Sequence, residues 1–226
     1  MAAAGVTVTS SRTLLNCCRQ SGKSATVAVL ALHEALKSLN SLILLLSPSL
    51  RQSQELFKKV QDVYRALAYH APLQAESALQ YEMNNGSRII SLPGTEPTIR
   101  GYSSVDLLII DEAARVSDDL YFACKPMMAI KPQARTLALS TPAGARGFWH
   151  HEWTTGDNWQ HILVPAEQCP RISRAFLDSE RRSLPRAWYD AEYCCVFTDA
   201  ENALFRHEDL IKAVTTAVKP LWGGHL

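Results

Sequence analysis

The strongest constraint on the fold of this chain is an alternation of short apolar runs with segments of helical period. Leu42-Ile-Leu-Leu-Leu46, Val105-Asp-Leu-Leu-Ile-Ile110 and Thr136-Leu-Ala-Leu-Ser140 are too short for core helices and show no in-out polar alternation. Strands of this kind must be buried on both faces, as happens when helices cover both sides of a parallel sheet. The segments between them supply those helices. Residues 23–39 carry Val27, Leu30, Ala31 and Ala35 near helical spacing, and residues 50–68 carry Leu56, Val60, Val63, Tyr64 and Leu67. The pattern predicts an α/β domain with a mainly parallel central sheet flanked by helices.

Further elements fall into place around this frame. Thr13-Leu-Leu-Asn16 reads as a short first strand. Residues 79–83 and 87–92 flank Asn84-Asn85-Gly86, and an Asn-Gly step between two such runs signals a hairpin. A helix is expected around residues 118–128, a strand over 159–164, and helix over 174–197 with a break at Pro185. Residues 1–11 read as a frayed lead-in, residues 12–205 as the domain, and residues 206–226 as a short helix and linker.

Composition closes off several function classes. The longest apolar run, residues 42–46, is far too short to span a bilayer, so no membrane role is expected. Six cysteines occur without a C-x-x-C spacing, which argues against a zinc knuckle and for reduced thiols. The His150-His151 pair reads as a surface turn. With 23 basic and 22 acidic residues the net charge of +1 neither marks nor excludes a nucleic-acid partner.

Two motifs carry chemistry. Cys17-Cys-Arg-Gln-Ser-Gly-Lys-Ser24 matches the phosphate-loop pattern G-x-x-x-x-G-K-[ST] except that Cys17 stands at the first glycine. Backbone from Cys18 through Arg19, Gln20, Ser21 and Gly22 would wrap the phosphates of ATP. Lys23 would reach the β/γ oxygens, and Ser24 would hold Mg²⁺. The helix that follows points its positive dipole end at the anion. The second motif is the apolar run that ends in Asp111-Glu112. Two adjacent carboxylates at the end of a buried strand are costly unless a cation sits there. Asp111 would serve Mg²⁺ and Glu112 would act as general base on the attacking water.

Lesser signals accompany them. Ser140-Thr141, at the end of another buried strand, would sense the γ-phosphate and couple its loss to the domain, although Ser-Thr-Pro is also an ordinary turn. Arg19 lies inside the loop, within expected reach of phosphate or Glu112. Arg100 precedes the acidic strand in a Gly/Ser-rich stretch and would act as an arginine finger.

With these residues in view, the sequence resembles the ATPase domain of the large terminase subunit of tailed bacteriophages. The resemblance rests on Arg19-Gln-Ser-Gly-Lys-Ser24, Asp106-Leu-Leu-Ile-Ile-Asp-Glu-Ala-Ala114, Leu139-Ser-Thr-Pro-Ala-Gly144, Trp188-Tyr-Asp-Ala-Glu-Tyr193 and the stretch 197–205. An arginine in the loop and Cys or Ser at its first glycine are typical of that family. The resemblance implies a P-loop NTPase fold of the RecA-like (ASCE) type and a motor that pumps double-stranded DNA into a procapsid. It implies a homo-oligomeric ring, a portal protein and a small terminase subunit as partners, and the host cytoplasm as the setting. Arg100 falls where some members place a finger acting on the neighbouring subunit's ATP.

Two departures stand beside the resemblance. The family's adenine-contacting segment, some tens of residues before the loop, is not expected in the dozen residues that precede the first strand here. Its nuclease domain is not expected within this chain, because Asp209 is the only aspartate past Glu201. A helicase-like translocase is the runner-up, and a prophage-derived nucleotide-binding module without turnover is the non-enzyme alternative.

Overall fold

The computed structural model describes residues 11–68, 72–94, 99 and 101–198. Most of the predicted lead-in, Arg100 and the helix-and-linker segment 206–226 lie outside the described residues.

The elements run β1 (Arg12–Cys17), α1 (Lys23–Lys37), β2 (Leu42–Ser47), α2 (Leu50–Arg65), β3 (Leu73–Glu76), β4 (Gln80–Met83), β5 (Arg88–Pro93) and β6 (Leu107–Asp111). They continue with α3 (Asp118–Cys124), β7 (Arg135–Ser140), α4 (Gly147–Thr155), β8 (Gln160–Val164), α5 (Arg174–Ser183) and α6 (Arg186–Cys194). One sheet of eight strands holds them in the order β3-β4-β5-β2-β6-β7-β1-β8. Strands β5, β2, β6, β7, β1 and β8 pair in parallel, while β3 and β4 run antiparallel at one edge. This is the expected α/β architecture, and it is RecA-like.

The apolar runs are buried on both faces for the reason their composition gives. In β2, Ile43 and Leu45 pack with Ile109 of β6 beneath α1 and α2. Leu44 and Leu46 turn the other way, joining Leu108, Ile110, Tyr121, Phe148 and Trp149 on the opposite face. Burying one such side chain contributes about 1.5–3 kcal/mol, so the two faces together fix the strand register. Helix α1 buries Val27, Ala28, Ala31, Leu32 and Ala35 as one stripe against the sheet.

Asp106 secures the start of β6. Its Oδ2 accepts from the Leu42 backbone N–H at 2.7 Å and from Lys131 Nζ at 2.6 Å. Phe148, Trp149 and His150 sit on α4, so the His150-His151 pair belongs to a helix and not to a turn. Nine residues rich in aromatics show little helical period, which is why the sequence concealed this helix. The hairpin is present as β4–β5, with Gly86 at φ 79° completing its turn.

Candidate active site

Parallel strands place all of their C-terminal ends at one edge of the sheet, and the loops there converge on a single crevice. Strand β1 ends at Cys17, β6 at Asp111 and β7 at Ser140. In register, Asn16 lies beside Ser140 and Asp111 beside Leu139. The sequence motifs at residues 17–24, 111–112 and 140–141 therefore meet, with β7 between the other two.

The loop from β1 to α1 is shaped by its backbone. Gln20 (φ 62°) and Gly22 (φ 89°) both occupy the left-handed region, where glycine is at ease and glutamine is not. Helix α1 then starts at Lys23 with no side-chain cap and no acidic residue in its first turn. Its positive dipole end is left facing the crevice, an arrangement suited to an anion.

Two contacts join this loop to the end of β6. Lys23 Nζ lies 2.9 Å from Glu112 Oε1, and Ser24 Oγ donates to Asp111 Oδ2 at 3.3 Å. Asp111 is buried at 6% exposure. Burial, and then the neighbouring Glu112 carboxylate, push its pKa above the ordinary aspartate range, against Lys23, the Glu112 N–H and the Ser24 hydroxyl. A buried carboxylate raised in this way is stabilised by any cation that arrives beside it. Among the described residues no cluster of three or more His, Cys, Asp or Glu side chains is arranged for a metal. The pair Ser24 Oγ and Asp111 Oδ2 nevertheless fits Mg²⁺, which takes one or two protein oxygens and fills its shell with water and phosphate oxygens.

Glu112 is itself held in an unusual conformation, at φ 52° and ψ 43°. A non-glycine residue in that region costs about 1–3 kcal/mol and persists where its surroundings dictate it. Here the dictating partners are Lys23 on one carboxylate oxygen and Arg115, whose Nη1 lies 2.9 Å from Oε2, on the other. The sequence reading missed Arg115, although its position three residues after Glu112 on a 3₁₀ turn was the available signal.

Of the two contacts expected of Arg19, phosphate or Glu112, the one with Glu112 is not made among the described residues. The Arg19 backbone N–H donates to Glu192 O at 2.9 Å and its guanidinium lies 3.7 Å from the Glu192 carboxylate, on α6. Contact with Glu112 belongs to Arg115 instead. Arg171 is a second residue the sequence did not disclose. Its guanidinium donates to Gln20 O at 3.5 Å and lies so close to Gly22 that a β-carbon there would sit 2.2 Å from Nη2. The Ser140 hydroxyl donates to Thr141 O at 2.7 Å, and both residues are buried beside the crevice.

A tether from beyond β8 completes the site. Asn16 Nδ2 donates to Cys195 O at 2.9 Å, and Cys18, Cys169, Leu177 and Cys195 form a small apolar cluster behind the loop. All six cysteines are free thiols, and Cys18 and Cys169 approach to 3.6 Å.

Comparison with known proteins bears on what such a crevice belongs to. The profile of the family described as "Terminase large subunit, T4likevirus-type, N-terminal" matches residues 14–212. The chain belongs to this family. Among solved structures, the large terminase ATPase domain of Thermus phage P74-26 matches with a TM-score of 0.72 at 21% identity, covering 84% of this chain and 90% of that one. The large terminase of bacteriophage HK97 matches with a TM-score of 0.67 at 14% identity, covering 83% of this chain and 47% of that one. A large terminase from a thermophilic bacteriophage, solved with ATP-gamma-S, matches with a TM-score of 0.70 at 11% identity over 84% of this chain and 48% of its own. At these identities the structures establish a shared fold. This chain spans about half the length of the last two terminases. Comparison with curated proteins gives no significant match.

Proposed function

We propose that the domain binds ATP with Mg²⁺ in this crevice and hydrolyses it to drive double-stranded DNA into a viral procapsid. The observation that carries the proposal is the double contact Lys23–Glu112 and Ser24–Asp111 at the uncapped start of α1. Family membership supports it, as does the ATP-gamma-S complex of a terminase with the same fold.

Each residue has a task that follows from its place. The backbone from Cys18 to Gly22 forms the phosphate loop, and the N-terminus of α1 faces the anion. Ser24 and Asp111 would hold Mg²⁺, which would supply charge neutralisation at the phosphates. Lys23 leaves Glu112 for those same oxygens, where a doubly charged partner outbids a single carboxylate. Glu112, freed on one oxygen and steadied by Arg115 on the other, accepts a proton from water. The water oxygen bonds to the γ-phosphorus as the bond to the β–γ bridging oxygen breaks, leaving ADP and phosphate. Ser140 and Thr141, between the loop and β6, relay phosphate loss into the sheet. Arg100 acts on the ATP of a neighbouring subunit in a homo-oligomeric ring, whose further partners are the portal protein and the small terminase subunit in the host cytoplasm.

Phosphate release by the purified chain, with Mg²⁺ and ATP and with or without linear duplex DNA, tests the reading. Turnover that Lys23→Ala abolishes is the expected result. Absence of both turnover and ATP binding in the wild type sinks it. Arg100 is tested by mixing Arg100→Ala with Glu112→Gln subunits under assembling conditions. Partial recovery of activity is expected, and mixtures as inactive as either parent remove the trans role.

A further inference from the structure

A cavity of about 390 Å³ opens at the N-terminal end of the sheet, where β1, β6 and β7 begin. Arg12 and Leu108 both pair with Thr136 there, and α3 with the segment after it closes the other side. A strand rises about 3.3 Å per residue, so Arg12 lies roughly 16 Å from Cys17 and the phosphate-loop end of β1. The volume is within the usual range for a small-ligand site.

The wall of this cavity is chemically one-sided. Arg12, Lys125 and Lys131 line it, and no Asp or Glu does. The carboxylates that pair with the lysines stand outside the lining: Lys131 Nζ meets Asp106 at 2.6 Å, and Lys125 Nζ meets Glu152 at 3.5 Å. An ammonium group carries three donors, so each pair leaves N–H groups for a further acceptor. Glu152 also accepts from the Tyr121 hydroxyl and the Trp159 indole N–H, which occupies the polar ends of both aromatic residues. What Tyr121 and Trp159 bring to the cavity is ring surface. Lys125 Nζ lies 4.7 Å from the Tyr121 centroid, and Arg12 Cζ lies 6.0 Å from that of Trp159. Leu108 and Met128 add apolar surface.

Such a wall selects its ligand. A cation is repelled, an uncharged aromatic leaves the three positive groups without an acceptor, and a small inorganic anion leaves the ring and aliphatic surface wet. We propose that the cavity binds a small aromatic carboxylate, with its ring against Tyr121 and Trp159 and its carboxylate among Arg12, Lys125 and Lys131. Charge-assisted hydrogen bonds to the carboxylate supply orientation, and burial of the ring supplies most of the affinity. The cavity and the phosphate crevice lie at opposite ends of the parallel strands, so both can be filled at once.

The test titrates the full chain with 1-naphthaleneacetate, its uncharged counterpart 1-naphthaleneacetamide, and acetate, followed by ligand-observed NMR. Naphthaleneacetate is expected to bind with a Kd of about 1 mM or below, at the efficiency of an ordinary small ligand. The amide lacks the charge and acetate lacks the ring, so each binds at least about fivefold more weakly. Lys125 is half-exposed, so Lys125→Gln leaves folding intact. It weakens naphthaleneacetate about three- to tenfold and leaves the amide within about twofold. Saturating Mg²⁺-ATP leaves the affinity for naphthaleneacetate unchanged. No binding of naphthaleneacetate at about ten times the expected Kd overturns the proposal. So does equal binding of acid and amide, or a Lys125→Gln variant that binds the acid as the wild type does. Displacement by Mg²⁺-ATP would put the ligand in the phosphate crevice and overturns it too.

Discussion

Lys23 and Glu112 stand 2.9 Å apart, joining the start of α1 to the end of β6 through one ion pair. Both are mostly shielded, with side-chain exposures of 10% and 22%, so the attraction is screened less than at an open surface. On the proposed function, nucleotide breaks this pair to engage Lys23. Replacing Glu112 by Gln removes the competitor as well as the proposed base. Glu112→Gln therefore binds ATP at least as tightly as the wild type, while its turnover falls about 10²–10⁴-fold. Equilibrium binding and phosphate release measured on one preparation check both halves. Weaker ATP binding in this variant contradicts the exchange of partners.

Arg115 touches Glu112 and not the loop, so its removal leaves the phosphate contacts in place. Arg115→Ala is expected to lower kcat about tenfold, the worth of one hydrogen bond to a charged group, with KM for ATP within about twofold. Arg115→Lys restores part of the loss, because the carboxylate regains a cation without the planar fork. Steady-state kinetics separate the two constants. A change confined to KM assigns Arg115 to nucleotide binding instead.

The thiols offer a probe of the packing behind the loop. Burial pushes Cys17 up to about 11 and Cys195 up to about 12, and raises Cys18 further. A shift of two units leaves about 100-fold less thiolate for reaction at a given pH. Cys194 is the half-buried member, raised by its partial burial and by the neighbouring Asp190 carboxylate. At pH 8 an aromatic disulfide reagent should modify Cys194 first and the others only after urea is added. Rapid native modification of Cys17 or Cys18 would show the cluster to be open.

What the sequence disclosed and what it hid divide along a physical line. The β6 run, the Gly22-Lys23-Ser24 step and the Asn-Gly hairpin are local patterns, each set by the conformational needs of neighbouring residues. Arg115 stands three residues after Glu112, a spacing that was legible, but only the 3₁₀ turn brings its guanidinium back to the strand end. Arg171 lies in a Cys-Pro-Arg-Ile-Ser stretch with no period at all, and only the placement of β8 beside β1 carries it to Gly22. Strand β3 escaped because its residues are mostly exposed and show no apolar alternation. Arg19 shows the complementary case: its position in the loop is local, but its partner Glu192 arrives from α6.

Glu152 makes the last prediction, one about stability. It sits on α4, where its carboxylate accepts from the Tyr121 hydroxyl at 2.7 Å and from the Trp159 indole at 2.8 Å, with Lys125 at 3.5 Å. Burial alone would raise its pKa, yet these three partners together hold it below the ordinary glutamate value of 4.5. A carboxylate lowered in the folded state adds stability that is present above its unfolded pKa and is lost as pH falls through the folded one. Glu152→Gln imitates the protonated form, since it keeps the shape and removes the charge. The variant should be less stable than the wild type by about 1.5–3 kcal/mol at pH 7, the range for hydrogen bonds to a charged group. As pH drops below the ordinary glutamate range the wild type loses the same contribution, and the difference between the two narrows. Urea denaturation at a series of pH values from 7 down to 3 measures this directly. A difference that stays constant across the series would mean that shape, and not charge, is what Glu152 brings to the contact between α3, α4 and the approach to β8.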